Sequence, residues 1–279
     1  MPMTANESVE VSSYGLTHIG KVREDNQDAV RICDLNDGES ISSVGYLFGV
    51  ADGMGGFAHG GIASTTALET FFETFYSANG ASPTQKFRVG IQNANLSVYQ
   101  ASQRMGAGKM GTTLLVTNLK GHDLYIGHIG DSRAYLIRHH KSRCLTNDHT
   151  QVGDLVKMRL LSPDKIRTHN HRSVLNKCLG LNLFVQPDIF KVSVQKDDVL
   201  ILCTDGVWSV IEDEEFARIT EKTNNPEELC RQIIELAMER DSDDNLSIIV
   251  LHFNNLVSHK TSKDKKNWSL NNIFSRNKK

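Results

Sequence analysis

The sequence predicts an α+β protein built on antiparallel sheets, and three observations carry that prediction. Apolar runs of strand length recur, and two of them, residues 46–50 and Val199–Cys203, run into an Asp-Gly pair. Residues 112–119, Asp123–Ile129 and Arg133–Arg138 read as successive strands of an antiparallel meander. Residues 60–78, and the segment opened by Ser82-Pro83, repeat apolar side chains at helical spacing.

The 279 residues suffice for one large domain or two small ones with a full core. A 39% hydrophobic and 23% charged content is that of an ordinary soluble globular protein, and a net charge of -2 gives no general pull toward nucleic acid or membrane. Residues 1–13 are polar and acidic, without the apolar stretch of a signal peptide, and no apolar run approaches the roughly 20 residues that span a bilayer. Cys33, Cys144, Cys178, Cys203 and Cys230 are scattered without a CxxC pair, so neither a zinc site nor a disulfide framework is expected. A reduced, cytoplasmic protein fits these features.

After the polar start, strands are expected on either side of a polar loop bearing Arg23, Asn26 and Asp28. That cation and carboxylate suit a phosphate and a metal, and equally a surface ion pair of little consequence. The run of Val44 and residues 46–50 ends at Asp52-Gly53, followed by Gly55 and Gly56, which reads as a buried strand emptying into a tight turn. Asp52 would stand at the mouth of the core. Gly53, lacking a side chain, would let a backbone carbonyl approach whatever Asp52 binds.

The helix over 60–78 puts Ala67, Leu68, Phe71, Phe72, Phe75 and Tyr76 on one face; the next aligns Phe87, Ile91, Ala94, Val98, Ala101 and Met105, and both stripes read as core. The glycine-rich stretch 106–111 lacks the spacing of a nucleotide P-loop and follows no strand. In the meander, turns fall at Lys120-Gly121-His122 and at a solvated His139-His140-Lys141. His128 reads as a buried structural histidine, and Gly130-Asp131-Ser132-Arg133 sets another carboxylate where the chain bends.

Residues 145–183 break the strand rhythm and read as an insertion between two sheets, with a helix near 151–159 and a second start at Ser162-Pro163. Inserted segments near a site often form lids. Strands return at 189–194 and Val199–Cys203, the latter running into Asp205-Gly206. Helices at Asp213–Thr220 and 226–240 lead to the acidic run Asp241-Ser242-Asp243-Asp244-Asn245 and a last strand at 246–253.

Asp28, Asp52, Asp205 and Asp244 thus each fall at a strand edge or end. Aspartates converging there would repel one another unless a multivalent cation neutralised them. An all-oxygen set without cysteine or organised histidine points to Mg²⁺ or Mn²⁺. Two such ions about 3.5–4 Å apart can share a water and lower its pKa toward neutrality. The resulting hydroxide can attack phosphorus in line, with Arg23 as the fork that holds the phosphoryl oxygens. Spacing alone leaves the convergence of the four aspartates open.

The ordered set Arg23-x-x-Asn26-Gln27-Asp28-Ala29, Asp52-Gly53-Met54-Gly55-Gly56, Gly111-Thr112-Thr113, Gly130-Asp131-Ser132-Arg133, Leu145-Thr146-x-Asp148-His149, Thr204-Asp205-Gly206 and Asp244-Asn245 resembles the metal-dependent protein phosphatase family (type 2C), particularly its compact bacterial members. The match covers residues 14–253, and it is the common order of the short motifs that makes it specific. The resemblance implies a four-layer α-β-β-α sandwich of two antiparallel sheets flanked by helices, with a binuclear Mn²⁺/Mg²⁺ centre in the cleft between sheets. It implies phosphoserine and phosphothreonine proteins as substrates and a cognate serine/threonine kinase as partner. By position, Asp52 matches the residue that bridges both ions and Gly53 contributes its carbonyl. Asp205 and Asp244 complete one ion's shell, and Asp28 reaches the site through water. Arg23 matches the phosphate-binding arginine, and Asp131 matches a carboxylate that helps Asp205 hold a third, weaker ion. Residues 145–183 occupy the place of the family's flap.

Four positions depart from the family's pattern. Gln27 stands where many members have glutamate. Met54 stands where animal relatives have a histidine proposed as general acid, so the leaving group needs a proton from a metal-bound water or another residue. Phe57 replaces a histidine of the Gly-Gly-His version, and Ser209 replaces a frequent second aspartate near the third ion. None of these is a core ligand. An alternative is a catalytically weak phosphoprotein-binding regulatory module of the same fold, which the presence of all four metal aspartates disfavours. A third reading, a two-metal phosphohydrolase of metabolites or nucleic acid, finds no basic, aromatic-interleaved surface for the latter. The catalytic domain is expected over residues 1–255. Residues 256–279 form a basic tail expected to be disordered, in which Trp268, Leu270, Ile273 and Phe274 among lysines also suit a partner or membrane surface.

Overall fold

The computed structural model describes residues 10–34, 37–38, 43–55, 59–78, 80–106 and 110–255. The expected basic tail at 256–279, Gly56 with Phe57, and residues 107–109 of the glycine-rich stretch lie outside the described residues. The strands are β1 (Glu10–His18), β2 (Asp28–Ile32), β3 (Tyr46–Met54), β4 (Gly111–Thr112), β5 (Leu114–Lys120), β6 (Asp123–Ile129), β7 (Arg133–Arg138), β8 (Lys141–Cys144), β9 (Asp188–Ser193), β10 (Val199–Cys203) and β11 (Leu246–Asn255). The helices are α1 (His59–Ser77), α2 (Pro83–Met105), α3 (Gln151–Lys157), α4 (Asp205–Trp208), α5 (Asp213–Thr220) and α6 (Pro226–Glu239), with a 3-10 turn at Pro163–Lys165.

The strands pair antiparallel into two sheets, ordered β1-β11-β10-β7-β8 and β2-β3-β5-β6-β9, with β4 beside β3. Side chains alternate across a strand, so each inner strand feeds two cores. On β10, Leu200 and Leu202 meet Phe48 and Val50 of β3 between the sheets, while Val199, Ile201 and Cys203 face the α4–α6 side with Trp208, Phe216 and Ile233. On β3, Leu47 and Ala51 turn instead to Phe71, Phe75 and Phe87 of α1 and α2. Four layers result, helix–sheet–sheet–helix. The α1–α2 pair is pinned by Phe87, whose ring centroid lies 5.5 Å from Phe71 and 5.3 Å from Phe75. Deleting one such ring costs about 3–5 kcal/mol. Helix α2 begins where Ser82 and Gln85 form a capping box ahead of Pro83, and ends at Gly106 in the left-handed region.

The structure corrects the sequence reading in four places. The meander is only a hairpin of β5 and β6, because the chain then crosses to the other sheet, where β7 pairs with β10. Gly130 makes the crossing at φ 107, where a Cβ would also come within 2.5 Å of Thr113. Asp52-Gly53 is not a turn: β3 continues through Met54 and pairs with β4. Asp205-Gly206, whose place after a buried strand suits the same tight turn as Asp52-Gly53, instead opens the short helix α4. Strand β8 went unforeseen because Lys-Ser-Arg-Cys has no apolar alternation; it is held by a hairpin in which His139 (φ 51) and His140 (φ 61) take the left-handed turn.

The remaining elements match within a few residues, although the Ser162-Pro163 start yields only the 3-10 turn. His128 is fully buried, and all five cysteines are free thiols. The insertion runs from β8 of one sheet to β9 of the other. Among the described residues, no helix is long and apolar enough to cross a membrane.

Candidate active site

Asp28 opens β2 and stands directly opposite Asp52 of β3, a pairing that sets Cβ atoms roughly 4.5–5.5 Å apart. The backbone of Asp52 is fixed from its other side. Its N–H donates to Thr113 Oγ1 (2.8 Å), and its carbonyl accepts from Thr113 N–H (2.8 Å) and Thr112 Oγ1 (2.9 Å). Thr113 Oγ1 also shares a hydrogen bond with Ser132 Oγ (2.8 Å), the residue after Asp131. A Cβ on Gly53 would lie 1.9 Å from Gly60 O and 2.6 Å from Gln27 O. This glycine therefore lets the start of α1 dock against β3, a packing role the sequence did not reveal.

Asp205 follows β10 and Asp244 precedes β11, and the pairing of those strands brings the two together. Gly206 permits the approach, since a Cβ there would lie 2.1 Å from Asn245 O. Thr204 Oγ1 donates to Asp28 Oδ2 (2.8 Å), tying the end of one sheet to the other. Asn245 staples the β1–β2 loop in place. Its Oδ1 accepts from Gln27 N–H (2.8 Å), and its Nδ2 donates to Ile19 O (2.8 Å) and Asp25 O (3.0 Å). On that loop, Arg23 donates from Nη2 to Asp244 Oδ2 at 2.7 Å. The ion pair considered for Arg23 therefore forms, with Asp244 as its partner.

The electrostatics mark these carboxylates as one cluster. Burial pushes Asp28 up to about 7, with the hydroxyls of Thr204 and Ser247 opposing and the charges of Asp205 and Asp244 reinforcing the rise. Burial lifts Asp205 to about 6; Asp244 adds to the rise, and a hydrogen bond with Asp52 opposes it. Asp52 and Asp131 are raised well above the usual carboxylate range, by burial first. Asp52 feels Asp28, Asp205, Asp131 and Asp244 together. Among the described residues, no three of His, Cys, Asp and Glu are gathered tightly enough to grip an ion between them. The donor set is nevertheless all oxygen, and Asp205 Oδ1 is buried without a hydrogen-bond partner. A crowded set of carboxylates with an orphaned acceptor fits hard divalent cations.

Behind Asp131 lies a support that sequence reasoning missed in part. Trp208 Nε1 donates to Asp131 O at 2.9 Å, and the Arg133 guanidinium stacks 3.5 Å from the Trp208 ring centroid. Arg133 is forked by Asp148 (2.9 and 2.7 Å), while His149 and Gly130 exchange hydrogen bonds (2.8 and 3.1 Å). The insertion is anchored at Asp52's side, where Leu179 and Thr112 exchange backbone bonds (2.8 and 3.2 Å). Asn95 of α2 holds it further on, donating to Asn182 O (2.9 Å) and accepting from Gly180 N–H (2.9 Å). A signal for Asn95 existed: a polar side chain on the otherwise apolar stripe of Ile91, Ala94 and Val98. Arg23, Asp28, Asp52, Gly53, Asp131, Asp205 and Asp244 all come together at this end of the sheets.

Residues 15–238 match the family model described as protein phosphatase 2C. The serine/threonine phosphatase stp of Listeria monocytogenes serotype 4b (strain F2365) is 27% identical over 241 residues, covering 84% of this chain and 93% of its own length. The crystal structure of serine/threonine phosphatase Stp1 from Staphylococcus aureus is similar with a TM-score of 0.79 at 26% identity, covering 92% of this chain and 99% of that one. The crystal structure of the catalytic domain of the serine/threonine protein phosphatase PstP in complex with 2 manganese ions is similar with a TM-score of 0.75 at 25% identity, covering 90% and 100%.

Proposed function

Because this chain belongs to the protein phosphatase 2C family, we propose that it hydrolyses phosphoserine and phosphothreonine monoesters in proteins, with its aspartates holding two Mn²⁺ or Mg²⁺ ions. The observation that carries this reading is the convergence of Asp28, Asp52, Asp131, Asp205 and Asp244, with Arg23 at the rim. Bound there, such ions supply Lewis acidity, making water nucleophilic near neutral pH and neutralising phosphoryl charge.

The chain's own residues do the rest. Asp52 is the central ligand, with Gly53 contributing its carbonyl, and the hydrogen bonds from Thr112 and Thr113 hold that stretch rigid. Asp205 and Asp244 would hold one ion, and Asp28, oriented by Thr204, would reach the site through water. Asp131, its backbone carbonyl held by Trp208, would join Asp205 in a third, weaker site. Arg23 binds and orients the phosphoryl oxygens through its guanidinium fork. The insertion after β8 borders the substrate's path. Residues 1–255 are the catalytic unit, a serine/threonine kinase acting on the same proteins is the implied partner, and the free thiols suit a reducing cytoplasm.

A panel of phosphothreonine, phosphoserine and phosphotyrosine peptides, nucleotides and sugar phosphates tests the substrate class. Turnover concentrated on the first two supports the reading. Preference for the small esters would replace it with a metabolite phosphohydrolase.

A further inference from the structure

Both oxygens of Asp244 are already engaged by the protein. Oδ2 accepts from Arg23 Nη2 at 2.7 Å, and Oδ1 accepts from the Asn245 N–H at 2.8 Å. The backbones that carry the pair are locked to each other. Asn245 bonds three points of the β1–β2 loop, and Gly20 lies so close that a Cβ would meet Asp244 O at 2.3 Å. The Arg23 side chain is not locked: it is 53% exposed, and that of Asp244 is 29% exposed. Arg23 can therefore leave Asp244 by side-chain rotation alone, without moving either loop. Two neighbouring cations behave differently. Lys21 pairs with Asp241 (3.6 Å), outside the carboxylate cluster, whereas Arg172 pairs with Asp243 (3.9 Å) and also acts on Asp205 through its charge.

We propose that Arg23 competes with the divalent cation for Asp244, so that metal binding releases Arg23 to take phosphate. This rests on the phosphatase reading and adds a coupling to it. One guanidinium serves two anions in turn, and the cation decides which. By linkage, phosphate that captures Arg23 must then tighten metal binding by the factor through which metal tightens phosphate binding.

The test is calorimetric titration of the full chain, first with Mn²⁺ alone and then with inorganic phosphate at fixed Mn²⁺. The proteins are wild type, Arg23→Ala, and Lys21→Ala as a charge control on the same acidic run. An exposed ion pair of this kind is worth little, so Arg23→Ala is expected to tighten Mn²⁺ binding by roughly twofold to fivefold without any phosphate present. It should also reduce the Mn²⁺-dependent gain in phosphate affinity by that same roughly twofold to fivefold factor, while Lys21→Ala shifts Mn²⁺ affinity by less. Equal tightening in both variants would mean general charge repulsion and overturn the competition. So would an unchanged Mn²⁺ affinity in Arg23→Ala, with the phosphatase reading left standing. Absence of Mn²⁺ binding in folded wild type would remove that reading and the competition with it.

Discussion

Asp28 and Asp52 face one another across the ladder between β2 and β3, two carboxylates directly opposite in neighbouring strands. Like charges so placed destabilise a sheet, and burial at this site adds to the cost. A fold retains such a pair when function depends on it. Asp28→Asn should therefore stabilise the protein in chelator at pH 8, by up to about 1 kcal/mol, while lowering Mn²⁺-dependent turnover. Thermal unfolding in chelator checks the first half; an unchanged or lower midpoint contradicts it.

Arg133 and Asp148 form a buried bidentate pair, with side chains 6% and 3% exposed. Removing Asp148 leaves the buried guanidinium with only the Tyr135 hydroxyl (3.1 Å) and the more distant Asp213 carboxylate (3.9 Å). Asp148→Ala should cost about 3–5 kcal/mol in urea unfolding. It should also loosen Asp131, because Arg133 stacks on the Trp208 that holds it. A loss below about 1 kcal/mol would mean that the guanidinium finds another partner.

Gly53 is needed for packing as well as for its carbonyl. Gly53→Ala forces a methyl into Gly60 O, which is backbone and cannot rotate away. The variant should show no cooperative unfolding transition, or one far below wild type. A near-native transition would show that α1 can shift off β3.

Arg240 holds the Glu215 carboxyl down at about 2, from an ordinary 4.5, chiefly through two hydrogen bonds of 2.6 Å. A depressed carboxylate contributes stability that is present above its unfolded pKa of 4.5 and is lost as pH falls toward 2. Because the pair is partly solvated, about 1 kcal/mol is expected. Glu215→Gln should lower stability by that amount at pH 7 and converge on wild type near pH 2. Parallel pH profiles for the two proteins would contradict this.

The legibility of the chain follows the range of its interactions. Helices α2 and α6 could be read because each announces its start with a cap and a proline and then repeats every three to four residues. The strands could be read by alternation, but alternation does not say which sheet a strand joins. For that reason the alternation that suggests a meander through β7 does not show that the chain leaves the sheet at Gly130. The aspartates were legible as motifs, and the family resemblance implied their convergence. The way they are held was not legible. Trp208 reaches Asp131, and Asn245 reaches Gln27, across 77 and 218 residues of sequence. Such contacts are products of topology, which no local pattern encodes.

The most direct test of the central claim is hydrolysis of p-nitrophenyl phosphate and a phosphothreonine peptide, with Mn²⁺, with Mg²⁺ and with chelator, by wild type and Asp205→Ala. The carboxylate cluster predicts turnover of both substrates with either ion, abolished by chelator and by the substitution. A folded wild type that stays inactive with both ions, or an Asp205→Ala variant that keeps wild-type turnover, would contradict it.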